Sequence, residues 1–289
     1  LFDSAYTDYK ATNTPAGRDL VREYVEAFRE EGIRVGLYYS LVDWHHPDYP
    51  AYQDPFHPLR GDPRRKDEQC DFNRYLDYMH NQVRELCTNY GKIDILWYDV
   101  SCPLHGAEDW DSVARNARLR ELQPHIIINN RSALPEDFDT PEQAIRASER
   151  DWEACMTLTR LGWGYVDEEQ SLPFMISSKQ IVRDLHLCTC GGGNLLLNIS
   201  PMPDGSVTPA TRERLEAVGE WLAVNGAAAY GKKFRTGPVY SANTLTAVSG
   251  DDGGKTLYLW NWVWPKNGEL RFGGYMDAPT RVSYLATGE

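Results

Sequence analysis

The chain has 289 residues, 42% of them hydrophobic and 25% charged, enough for one large core or for a large domain followed by a small one. Its formal net charge of −12 excludes the basic footprint that nucleic acid or an anionic membrane surface requires, so neither is expected as a partner and a small or neutral substrate is. No run approaches the roughly 20 apolar residues that span a bilayer, and six scattered cysteines (Cys70, Cys87, Cys102, Cys155, Cys188 and Cys190) read as reduced thiols, which points to a cytoplasmic location.

In chain order, residues 18–32 place Leu20, Val21, Tyr24, Val25 and Phe28 at a helical period that closes on Gly32. The run VGLYYS at 35–40 reads as a buried strand, followed by Asp43, Trp44, His45 and His46. A second helix is predicted over 72–90, with Tyr75, Leu76, Met79, Val83, Leu86 and Cys87 on one face ahead of Gly91. The next strand, IDILWYD at 93–99, ends on the carboxylate of Asp99. Helix 111–122, strand IIINN at 126–130, helix 179–190 and strand NLLLNIS at 194–200 continue the alternation. Short apolar strands alternating with helices predict parallel βαβ units and hence an α/β fold.

After a helix over 209–225, begun on Thr208 as its cap, the texture changes. Turns at GDDGG, PKNG and FGG separate strand-like stretches at 256–264 and 280–285. The expected boundary is therefore 225/226, with a (β/α) barrel-like domain over 1–225 and a small antiparallel, sandwich-like β-domain over 226–289.

In a parallel barrel the chemistry collects at the C-terminal ends of the strands. Asp99 would stand there, with Trp97 two residues earlier on the same side of the strand. An Asp at a strand end can also simply cap the next turn. Tyr38 and Tyr39 are adjacent, so only one of them can face a substrate. Between the strands, SERDWEACM (148–156) crowds Glu149, Asp151 and Glu153 around Trp152. Carboxylates near aromatic rings suit a sugar site, because pyranose C–H faces pack on rings while two acids flank the scissile bond. Nine Trp and seventeen Tyr agree with that reading. Cys188-Thr-Cys190 is not a metal-ligand pair, and neither a metal nor an organic cofactor is expected.

Five stretches in register carry a resemblance: LFDSAYTDY (1–9), GLYYSLVDWHHPDY (36–49), DILWYD (94–99), DWEACMTL followed by GWGY (151–165), and GGGNLLLNISPMPDG (191–205). In this order they resemble α-L-fucosidases of glycoside hydrolase family 29. The resemblance implies a TIM-like barrel with a C-terminal β-domain, and retaining hydrolysis of terminal α-L-fucose from fucosides and fucosylated oligosaccharides through a covalent fucosyl-enzyme. It implies Asp99 as nucleophile and, from the Trp-Glu motif, Glu153 as acid/base, with Glu149 and Glu142 as alternates. Trp97, Tyr38 and Tyr39 match the family's apolar wall, and Trp44, His45, His46 and Trp163 are further candidates for substrate contact. Arg131 and Arg146 read first as surface residues that could also serve a carboxylate. Relatives carry two more strands, with His-Trp-Gly and His-His-Asp-Gly-Phe segments, ahead of the point where this sequence begins. An incomplete barrel is therefore expected, with its open edge covered in a homo-oligomer. An inactive, truncated homologue that still binds carbohydrate is the competing reading.

Overall fold

The structure is a computed structural model that describes residues 2–51, 53–64, 66–99, 105–232, 240–241, 245–250, 252–253, 255–273 and 277–289. Cys102 lies outside them; Cys87, Cys155 and Cys188 are buried. The chain divides into two compact units, Leu1–Phe138 and Asp139–Glu289. Among the described residues no helix is long and apolar enough to cross a membrane.

The first unit follows the predicted alternation: α1 (Leu20–Glu30), β1 (Gly36–Ser40), α2 (Phe72–Asn89), β2 (Ile95–Asp99), α3 (Ser112–Leu122) and β3 (Ile127–Ile128). The helices start where the sequence supplies a cap. Asp19 accepts from the Arg22 N–H at the start of α1, and Asp71 accepts from Asn73 and Arg74 at the start of α2. Gly32 and Gly91 both adopt φ +71°, the left-handed conformation that ends a helix at little cost only for glycine.

The three strands form a parallel sheet in the order β1-β2-β3. Gly36 lies opposite Ile95 and Ser40 opposite Asp99, so β1 and β2 end level with each other. One face of β2 buries Leu96 and Tyr98 completely, in a core with Val25 of α1, Tyr75, Met79 and Val83 of α2, and Leu119 of α3. Each such aliphatic burial contributes about 1.5–3 kcal/mol. The pleat turns Ile95, Trp97 and Asp99 to the other face. β3 is shorter than the predicted 126–130 strand, because Asn129 leaves the ladder and a 3₁₀ turn, Asn130–Ser132, follows at once.

The second unit contains β4 (Glu153–Thr157), α4 (Glu168–Ser171), α5 (Ser178–Gly191), β5 (Asn194–Asn198) and α6 (Pro209–Asn225). Thr208 caps α6 as expected, accepting from the Thr211 N–H with Pro209 in the first turn. β4 and β5 pair in parallel, Glu153 opposite Asn194 and Thr157 opposite Asn198. Sequence periodicity did not reveal β4, since EACMT opens on a carboxylate and has no clear alternation. Beyond α6 lie β6 (Tyr240–Ser241), β7 (Leu245–Ser249), β8 (Leu257–Asn261) and β9 (Phe272–Gly273), paired antiparallel as β6-β9 and β7-β8. Trp260 of β8 packs with Ile181 and Val182 of α5 and Val218 of α6. The strand expected at 280–285 does not form. Val282 and Tyr284 are exposed, and the segment turns back on itself, with the Gly288 N–H donating to the Tyr284 carbonyl.

Trp152, expected as a sugar platform, is 2% exposed and packs with Ala154 and Cys188. Its ring lies against the glycine run after α5: a Cβ on Gly193 would sit 2.1 Å from the indole, and the indole N–H donates to the Gly191 carbonyl at 3.2 Å. Gly191 and Gly193 are there because nothing larger fits beneath the ring, and Gly192 between them adopts φ +76°.

Candidate active site

In the first unit the β2 carboxylate has two partners. The Tyr38 hydroxyl donates to Asp99 Oδ2 at 2.9 Å, and Arg131 Nη1 pairs with Oδ1 at 3.2 Å. Register explains the first contact: Tyr38 lies opposite Trp97 in the β1/β2 ladder, so its phenol lies over Trp97 and reaches the next residue on that face. The Tyr38 and Trp97 rings stack with centroids 5.9 Å apart, and the Arg131 guanidinium lies 5.3 Å from the Trp97 ring centre. Burial against this surface, and then the negative charge of Asp99, push the Tyr38 hydroxyl well above the usual phenol range. Tyr38 therefore stays a proton donor to the carboxylate throughout the physiological range.

The end of β2 is also pinned from behind. Asn129, fully buried, donates from Nδ2 to the Tyr98 carbonyl at 2.8 Å and accepts the Tyr98 N–H on Oδ1 at 2.9 Å. Its amide takes the place of the backbone partner that β3 would have supplied one step further on. Asp99, Tyr38, Trp97 and Arg131 thus form one constellation, with the carboxylate held in orientation by an ion pair and a hydroxyl. Arg131, read from the sequence first as a surface residue that could also serve a carboxylate, belongs to this constellation.

The remaining candidates of this unit divide. Tyr39 points to the opposite side, is 9% exposed, and donates to Gln82 Oε1 at 2.9 Å, so it is a core residue and not a substrate contact. His46 packs edge-on and tilted against Tyr75 and Tyr78 of α2, and its Nδ1 accepts the Asp48 N–H; its ring is occupied in packing. His45 stacks on Tyr9 at 4.3 Å on the exposed side. Trp44 is partly exposed beside Ser40, Val42 and Asp43, which together line a shallow recess next to the end of β1. Its indole N–H donates to buried Asp54 at 2.7 Å, a partner that the sequence reading did not single out.

In the second unit the three candidate acids occupy different places. Residues 139–143 run alongside β4 in parallel, Asp139 opposite Trp152 and Glu142 opposite Cys155. Glu142 Oε1 accepts the Trp163 indole N–H at 3.2 Å. The Trp163 carbonyl in turn accepts from Asn198 Nδ2 and Ser200 Oγ, both at 2.9 Å. Glu142 and Trp163 therefore belong with Asn198 at the C-terminal end of the β4/β5 pair. Glu153 opens β4, at the other end of the strand from Thr157, with its N–H bonded to the Asp139 carbonyl. Glu149 lies earlier still, exposed in the turn where Ser148 and Arg150 bond to Asp139. Arg146 is exposed. Among the described residues no cluster of three or more His, Cys, Asp or Glu side chains is arranged to hold a metal ion.

Known proteins similar to this chain fall in one family. The family model for alpha-L-fucosidase matches residues 1–227. The tissue alpha-L-fucosidase of Mus musculus is 31% identical over 270 residues, covering 87% of this chain and 54% of that protein. Among solved structures, alpha-L-fucosidase isoenzyme 1 from Paenibacillus thiaminolyticus has 38% identity and a TM-score of 0.76, covering 96% of this chain and 76% of that one. An alpha-L-fucosidase from Bacteroides thetaiotaomicron, trapped as a covalent intermediate with 2-fluoro-fucosyl fluoride in a Glu-to-Gln variant, has 26% identity and a TM-score of 0.79, covering 100% of this chain and 68% of that one. The chain spans about half the length of the curated relatives it matches.

Proposed function

Because the chain belongs to the alpha-L-fucosidase family, we propose that it is a retaining exo-α-L-fucosidase, acting on terminal fucose of fucosides and fucosylated oligosaccharides with Asp99 as its nucleophile. The observation that carries this reading is Asp99 at the C-terminal end of β2, oriented by Tyr38 and Arg131 beside the Trp97 ring. An Asp99 oxygen attacks the anomeric carbon as the bond to the leaving oxygen breaks, giving a fucosyl ester. A second carboxylic acid delivers its proton to the leaving oxygen. The same group then takes a proton from water, which attacks the anomeric carbon and releases Asp99. The covalent intermediate trapped in the Bacteroides relative supports the retaining course.

For the acid/base, position favours Glu142 over the motif-based Glu153, since Glu142 shares the C-terminal end of β4/β5 with Trp163 while Glu153 starts its strand. The finer architecture, a TIM-like barrel with its second domain beginning after residue 225, is supported by parallel pairing before that point, antiparallel pairing after it, and a family match that ends at residue 227. Among the described residues β1 pairs only with β2, an edge that a homo-oligomer would cover.

The test is turnover of 4-nitrophenyl α-L-fucoside by the wild type and by Asp99→Gly, with and without azide. Loss of turnover that azide restores, with an azido-fucoside as product, is the expected result. A folded wild type that binds fucose without turning the substrate over would replace the enzyme by a carbohydrate-binding homologue.

A further inference from the structure

Away from the Asp99 constellation, α2 and α3 enclose a recess lined by His80, Asn81 and Arg84 from α2, by Arg115 and Arg118 from α3, and by two leucines. The helical spacing explains the cluster, because positions 80, 81 and 84 share one side of α2, and 115 and 118 one side of α3. In a chain of net charge −12, four basic groups meet here and no carboxylate lines the recess. From this arrangement we propose that the recess is a binding site for a small tetrahedral oxyanion of the phosphate or sulfate type.

The central group is Arg115, 2% exposed and without an ion pair among the described residues. A buried guanidinium is costly unless its charge is compensated. Its compensation is partial: Nη1 donates to the Trp110 carbonyl at 3.2 Å, Nη2 to Ser112 Oγ at 3.2 Å, Nε approaches Asn116 Oδ1 at 3.4 Å, and the Tyr98 ring lies 4.5 Å away. With Nη1 also 3.9 Å from Met79 Sδ, these contacts engage up to four of the five N–H groups and supply no negative charge. Arg84 spends one N–H on the Tyr6 hydroxyl, and Arg118 stands exposed with no hydrogen bond or ion pair among the described residues. Donors are in surplus, and guanidinium forks match tetrahedral oxyanions in geometry as well as charge.

His80 makes the site readable. Its Nε2 donates to the Trp110 carbonyl at 3.3 Å, so Nδ1 can donate to an anion only once the ring is protonated. Burial, with Arg115 and Arg118 alongside, holds the imidazole below its usual range against the opposing pull of the Trp110 carbonyl and Asp111. An anion seated among the guanidiniums offsets their effect, so its arrival raises the His80 titration midpoint.

The experiment uses the full chain with inorganic phosphate, and separately with sulfate, at constant ionic strength set by sodium chloride. Expected are a saturable rise in Tm with millimolar half-saturation and an upward move of the His80 midpoint followed by its ring-proton shifts. Arg84→Ala/Arg118→Ala changes only exposed side chains, keeps the Tm of the anion-free protein, and weakens the apparent affinity by about tenfold or more. Chloride matching phosphate in effect, or the double variant responding like the wild type, would overturn the proposal. So would a double variant that alters the oligomeric state by light scattering while wild type ignores phosphate, which would assign the recess to a carboxylate of a second copy.

Discussion

Acidification should weaken the fold through His186 in a way that one substitution isolates. The imidazole is 3% exposed, stacks on Trp260 at 4.8 Å, and accepts the Trp262 indole N–H on Nδ1 at 2.7 Å. Burial holds its pKa down to about 4, against a reference of 6.5. Protons therefore favour the unfolded chain between these values: the contribution is complete above pH 6.5 and is lost as pH falls toward 4. At about 1.36 kcal/mol per pK unit the full loss is about 3 kcal/mol, of which about 2 kcal/mol is gone by pH 5. Carboxylates titrate in the same range, so the measurement is a difference. Urea unfolding of the wild type and of His186→Gln is followed at pH 7 and at pH 5. Gln keeps an acceptor for Trp262 but does not titrate. At pH 7 the wild type is the more stable, and by pH 5 the gap should close by about 2 kcal/mol. Parallel pH profiles for the two proteins would refute a buried, neutral His186.

Tyr38→Phe keeps the stack on Trp97 and deletes the donor to Asp99; a hydrogen bond to a charged group is worth about 1.5–3 kcal/mol, so kcat/KM on an aryl fucoside should fall by about 10- to 150-fold at unchanged Tm. Glu142→Ala should slow fucosides with poor leaving groups far more than an activated aryl fucoside, while Glu153→Ala should hit both alike; the reverse pattern returns the acid role to Glu153. Gly193→Ala forces a methyl into the Trp152 ring and should destabilise by about 1–3 kcal/mol or more, a loss that Trp152→Val in the same chain partly recovers by thermal unfolding. Asn129→Leu strips both side-chain bonds from the Tyr98 backbone and should cost about 2–4 kcal/mol together with activity, since the strand end that carries Asp99 is no longer pinned.

Much of the first unit is legible in its sequence because its elements declare themselves locally. The helices α1 and α2 begin on capping aspartates and end on left-handed glycines, and β2 is an apolar run whose final carboxylate has no packing reason to be there. What escaped depends on contacts between residues far apart in sequence. The glycine run before β5 makes sense only once the indole of Trp152 is seen to lie over it, 41 positions from Gly193. The same contact removes Trp152 from the list of sugar platforms, because a ring wedged on glycine backbone has no face left for a pyranose. At 280–285 the opposite error arises: the residues have strand propensity, but without a paired neighbour propensity alone does not make a strand.

The two carboxylates proposed for catalysis, Asp99 and Glu142, differ in legibility for a physical reason. Asp99 is positioned by the β1/β2 register, and register follows from the alternation of Leu96 and Tyr98 inward with Trp97 outward, a pattern written in consecutive residues. Glu142 lies on a segment with no periodicity of its own, placed by single bridges to Trp152 and Cys155 and by the bond from Trp163, all of which join separate stretches of chain. A motif centred on the neighbouring tryptophan-glutamate pair therefore draws attention to Glu153, the acid next to a buried anchor. Glu142 is the carboxylate that the ladder carries to the C-terminal end of the strands. If leaving-group dependence follows Glu142, the lesson extends to other parallel sheets: a nucleophile can be found by where an apolar run ends, and its partner acid by which irregular segment runs beside the next strand.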